Sequence, residues 1–195
     1  MREIPILEFS AVPRRPQVGE TIRYPIEPGQ RGINLTMIPR MVEAVREDHA
    51  DPVVRGTAVE VIRKAGCLER DEACFAAALY NHVNRRFFWT DDPVLEETFL
   101  WPRRFVAEMN GKGKVYADCA SVNAAIIALL GAVGSKAAFY FVGDGQRDRG
   151  ERIFYHVMTV MVVHGKPFFF EPTLHLEPGT APPRYRDHMV VNPWR

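Results

Sequence analysis

The sequence predicts an α+β fold: N-terminal helices, then an antiparallel sheet packed on a central buried helix. Three observations predict it. Apolar residues recur at helical spacing in several segments between residues 37 and 134. One of those segments, CASVNAAIIALLGAVG from Cys119, is apolar nearly all round, as a buried helix is. Three aromatic and β-branched runs follow, at 137–143, 152–163 and 166–173.

Each element has its own local signals. Residues 1–36 are rich in Pro and Gly and carry no helical period, so they read as an extended arm that must lie on its own domain or on a partner. The stretch MIPRMVEAVRED (37–48) reads as a short helix. In DPVVRGTAVEVIRKAG, Asp51 is the expected N-cap, Pro52 suits the first helical position and Gly66 the residue just past the end. A further helix is expected from Glu72 to Arg85, with Phe75, Leu79, His82 and Val83 on its buried stripe. Another short one starts after Trp101, with Pro102 in its first turn. Asp118 is placed as the cap of the Cys119 helix and Gly134 as its end. His164–Gly165 reads as a tight turn between the last two strands, and GDGQRDRG (143–150) as a loop between the first two. The domain is therefore set at 37–174, with a second extended arm over 175–195.

Composition excludes several functions. With 25 basic and 24 acidic side chains the net charge is +1, so no nucleic-acid or membrane-surface footprint is expected. No apolar run approaches the ~20 residues of a membrane helix. The N-terminal MREIPILEFSAVPRRP has neither a signal-peptide core nor a small-residue cleavage site, which predicts a cytoplasmic protein. Cys67 and Cys74, seven positions apart, could bridge two helices, but a reducing cytoplasm favours two free buried thiols. A zinc site needs four ligands, and no Cys-x-x-Cys or His pair accompanies these two, so no metal is expected. Without a phosphate-binding Gly motif, no cofactor is expected either.

Cys119 carries the chemistry. At a helix N-terminus, unpaired N–H groups and the helix dipole favour a thiolate. A thiolate catalyst needs a base and a group to orient that base. His156 lies in an otherwise apolar strand and Glu171 in an otherwise aromatic one. A two-residue turn at His164–Gly165 sets 163 opposite 166, and counting outward brings His156 within two residues of the position facing Glu171. Cys119, His156 and Glu171 are the candidate triad. Taken singly, each also reads as a core thiol, a hydrogen-bonded core histidine and a strand-end carboxylate.

In this order the motifs ADCASVNAAIIALLGAVG, FYHVMTVMV and FFFEPTL resemble the transglutaminase-like superfamily of papain-type thiol enzymes, in its bacterial and phage cysteine-peptidase branch. RRFFWTDDPVLEETFLWP is similar to that family's upstream aromatic and Asp-Pro segment, and the resemblance spans roughly 50–174. It implies a papain-like core with Cys119 as nucleophile, His156 as base and Glu171 as orienting carboxylate, at a position where the family usually has Asp. The implied substrate is a peptide or protein amide. The Cys119 backbone N–H is one candidate oxyanion donor, and Trp89 and Tyr116 are the aromatic candidates for a second. An alternative keeps the fold without the activity: a structural or assembly protein, such as a virion component, whose arms clasp a second copy of the chain or a virion partner.

Overall fold

A computed structural model of the chain describes residues 22–25, 37–91, 96–148, 151–181 and 185–195. Among these are five helices: α1 (Met37–Asp48), α2 (Pro52–Ala65), α3 (Glu72–Asn84), α4 (Pro102–Lys112) and α5 (Cys119–Ala132). Asp51 caps α2 by accepting the Val53 N–H, and Gly66 closes that helix in the left-handed conformation at φ 69°. Asp71 caps α3 by accepting the Cys74 N–H.

The helices surround α5. Every residue of α5 from Cys119 to Leu130 is buried, and the helix touches α1, α2, α3 and α4. Its other side lies on an antiparallel sheet whose strands are β5 (Ala137–Gly143), β8 (His156–Val163), β9 (Lys166–Phe170) and β10 (Asp187–Val191). Their order is β10-β5-β8-β9. His164 and Gly165 both have positive φ, 49° and 77°, and make the two-residue turn that sets Val163 opposite Lys166. Smaller pairings complete the fold: β1 (Ile22–Pro25) with β3 (Glu96–Phe99), β2 (Phe87–Trp89) in parallel with β4 (Val115–Ala117), and β6 (Arg147–Asp148) with β7 (Glu151–Arg152). The fold is α+β, with helices first and an antiparallel sheet on a central helix, as the sequence predicts.

Three expectations are corrected. Residues 151–152 belong to the small β6–β7 hairpin, and the long strand starts only at His156. The tail over 175–195 does not end as an arm: β10 pairs with β5 from Asp187–Gly143 to Val191–Phe139. Beyond it, Trp194 donates its indole N–H to the Ala137 carbonyl at 2.8 Å and packs on Gly131 of α5. Alternating Met189 and Val191 against the core was enough apolar surface to recruit a fourth strand. Finally, Cys67 and Cys74 are not free: they form a disulfide across the α2–α3 corner, with Cα atoms 5.7 Å apart. Gly66 turns the chain back at the end of α2, and this brings the two cysteines within bridging distance. Of the N-terminal arm, residues 1–21 and 26–36 lie outside the described residues, as do 92–95 of the upstream aromatic segment. Among the described residues no helix is long and apolar enough to cross a membrane.

Candidate active site

The first turn of α5 is built by Asp118. Its carboxylate accepts the Ala120 and Ser121 N–H groups at 3.2 and 2.9 Å, so it caps the helix with both oxygens. The Ser121 hydroxyl accepts the Leu100 N–H at 3.0 Å and ties the turn to the chain entering α4. Cys119, at the first helical position, is 7% exposed. It is the cysteine that lies outside the disulfide.

Asn123 fastens this turn to the sheet. Fully buried, its amide nitrogen donates to the Cys119 carbonyl and to the Val157 carbonyl, each at 2.9 Å. Its amide oxygen accepts the Thr159 hydroxyl at 2.8 Å. Both donors and the acceptor of the amide are used. The end of α5 that carries Cys119 is thus held against the residue that follows His156.

His156 opens β8, with its side chain 14% exposed. Its Nε2 lies 2.6 Å from Glu171 Oε2, and the Glu171 side chain is 1% exposed. The other carboxylate oxygen, Oε1, accepts the Thr173 backbone N–H at 3.0 Å and the Thr173 hydroxyl. This explains the Glu-Pro-Thr spelling. Pro172 fixes the turn, and Thr173 folds back to hold one oxygen while the other meets the imidazole. A buried carboxylate is costly unless its oxygens are paired, and here both are. Glu171 stands just past the end of β9.

Comparison with known proteins adds a single distant likeness. No protein-family model matches the chain, and no curated protein matches it. One solved structure, described as "a putative protease from Parabacteroides distasonis ATCC 8503", is similar over 68% of this chain, with 12% identity and a TM-score of 0.48. The match covers 25% of that protein, so this chain corresponds to about a quarter of its length.

Sequence reasoning missed four residues of this neighbourhood. Asn123 could have been found as the lone amide in an apolar helix. Thr173 stands in the FFFEPTL motif, where the sequence gives it no role of its own. Tyr80, on α3, left no signal: its hydroxyl lies 3.0 Å from the Glu171 carbonyl and 2.6 Å from that of Leu176. Burial pushes the Tyr80 hydroxyl far above its usual range, and the Glu171 charge pushes it further, so it stays a proton donor. Tyr185 comes from the tail and packs on Tyr155, next to His156, and its hydroxyl is raised by burial first and then by the Glu171 charge.

The aromatic oxyanion candidates stand elsewhere than expected of free donors. Trp89 pairs across the ribbon with Ala117, two residues before Cys119, but its indole N–H is donated to Asp91 Oδ1 at 3.0 Å. Tyr116 is 53% exposed, beside Phe88 and beneath Lys114.

Proposed function

We propose that this protein is a thiol-dependent amide hydrolase or acyl transferase of the transglutaminase-like kind, acting on a peptide or protein with Cys119, His156 and Glu171 as its triad. The observation that carries the reading is the part-buried 2.6 Å contact between His156 Nε2 and Glu171, on a strand end that Asn123 ties to the Cys119 turn. Glu171 accepts a hydrogen bond from the Nε2–H, which leaves Nδ1 as the basic nitrogen. Val157 and Thr159 face α5 and strand alternation turns His156 the other way, so the proposed chemistry requires the imidazole to reach the sulfur around the open end of β8.

In the proposed reaction the Cys119 proton passes to Nδ1 and the thiolate attacks the amide carbon. The carbonyl electrons move to oxygen, which the Cys119 N–H stabilises together with a second donor. The tetrahedral species collapses as Nδ1–H protonates the departing amine. A thioester remains. Water or an incoming amine, deprotonated by Nδ1, then releases the acyl group and restores the thiol. Glu171 holds the ring orientation and stabilises the imidazolium in both steps.

Thiol titration tests this. The helix terminus alone is worth about 0.3–1 kcal/mol, under one pKa unit, so a strongly reactive thiolate requires the imidazolium as partner. Iodoacetamide labelling of Cys119 over pH 4–10 should show a low-pH plateau in the native protein, and His156→Ala should abolish it. Labelling that rises only above pH ~8 in both proteins, or none while folded, would make Cys119 a core thiol.

A further inference from the structure

We propose that the β2–β4 ribbon is the substrate-binding surface of the Cys119 site, and that it takes an extended peptide with a carboxylate about three residues from the reacting amide; this rests on the reading of Cys119 as nucleophile. The ribbon is parallel, with Phe88 opposite Tyr116 and Trp89 opposite Ala117. Phe88 and Tyr116, 47% and 53% exposed, share one face of the ribbon, while Trp89, 46% exposed, alternates to the other. The Phe88 and Tyr116 rings are 5.5 Å apart and form one platform. Because both strands run the same way, the two ends of the ribbon differ. One end leads from Ala117 through Asp118 into Cys119. The other end gathers cations: Arg85 is exposed just before β2, and Lys114, just before β4, holds its Nζ 5.4 Å from the centre of the Tyr116 ring.

The platform thus runs from nucleophile through aromatic faces to positive charge. Tyr116 precedes Cys119 by three residues, and an extended peptide advances ~3.3 Å per residue. A chain lying along the ribbon with its amide at Cys119 brings its third residue under Lys114. A carboxylate there meets the ammonium group, while the intervening residues cover the aromatic faces. Phe88 and Tyr116 then serve the site by binding substrate.

The test separates binding from catalysis by using the full chain with Cys119→Ala. Calorimetric titration compares acetyl-Glu-Ala-Ala-Gln-amide with its Lys-Ala-Ala-Gln counterpart, and the reversed pair acetyl-Gln-Ala-Ala-Glu-amide with acetyl-Gln-Ala-Ala-Lys-amide. In one direction the Glu peptide should bind at least tenfold tighter than the Lys peptide. Lys114→Glu should erase or invert that ratio, and Phe88→Ala with Tyr116→Ala should weaken both peptides about tenfold; these side chains are exposed, so folding is checked by unchanged circular dichroism. Equal affinities for Glu and Lys peptides in both directions, no binding at millimolar peptide, or a ratio untouched by Lys114→Glu would overturn the proposal. Charge-selective binding with an inert Cys119 would keep this surface and remove the catalytic reading; a reactive Cys119 without selectivity would do the reverse.

Discussion

At the scale of single residues, the site depends on side chains that hold others in place. Asn123 occupies three hydrogen-bonding positions, and replacing its amide takes a donor from the buried Cys119 and Val157 carbonyls and the acceptor from the Thr159 hydroxyl. Each such loss costs about 1–3 kcal/mol, whereas removing the Thr159 hydroxyl takes one partner from an amide oxygen. Asn123→Leu should therefore destabilise the protein by more than Thr159→Val, as read from urea-unfolding midpoints. It should also shift the pH profile of Cys119 labelling, because the first turn of α5 loses its tie to β8. Comparable midpoints for the two variants would show that the latch does not run through the Asn123 amide. Thr173 acts in the same sense on the other side of the imidazole, holding the Glu171 oxygen that His156 does not use.

At the scale of elements, two fastenings decide how the helices sit. The disulfide closes the α2–α3 corner over a short loop, for which loop-closure entropy amounts to about 2–3 kcal/mol. It positions α3, and α3 delivers Tyr80 to the Glu171 carbonyl. The second fastening is the end of the tail. A Cβ at Gly131 would lie within 2.7 Å of Trp194 Cζ2 and nearer still to Cη2, so glycine is required there by the close approach of the ring. His49 packs edge-on against the same indole at 5.2 Å. Gly131→Ala should expel the ring at an overpacking cost of about 1–3 kcal/mol, although alanine is the better helix former. The expected readings are a lower Tm and a red-shifted tryptophan emission. A variant as stable as the native protein, with unchanged emission, would mean that the indole is not seated on α5.

At the scale of the whole molecule, stability should depend on pH through His82. Burial pushes this imidazole down to about 4 from 6.5, with Arg86 and Lys64 acting in the same direction and Glu60 opposing. The Arg86 guanidinium stands 3.3 Å from its Nδ1, which suits a neutral ring. In the folded protein His82 stays neutral where the unfolded chain would take up a proton. Its contribution is present above pH 6.5 and is lost as the pH falls from about 6.5 towards 4. Urea-unfolding free energies should fall over that interval, and His82→Gln should flatten the fall. Parallel curves for the two proteins would assign the effect to other groups. The sheet also closes at this scale: β10 makes the tail part of the domain, so 187–194 cannot be removed as an appendage.

What the sequence by itself determined was local. Asp51, Pro52 and Gly66 bound α2, Asp118 caps α5, and the apolar run after Cys119 is buried, because capping, left-handed glycine and all-round hydrophobicity are properties of a few neighbouring residues. The register of β8 on β9 was legible too, since a two-residue turn fixes the pairing of every residue beyond it. What only the tertiary structure decided was non-local. The Cys67–Cys74 bridge depends on how two helices meet at a corner, and spacing alone did not distinguish it from two free thiols. Pro content marked the tail as extended, but whether an extended strand stays on the surface or joins a sheet is decided by the edge available to it, here that of β5. Tyr80 and Asn123 entered the site by packing, one from a helix 91 residues distant from Glu171 and the other by reaching 34 residues ahead to Val157. A buried polar group must find a partner wherever the fold supplies one, and the sequence does not say in advance where that will be.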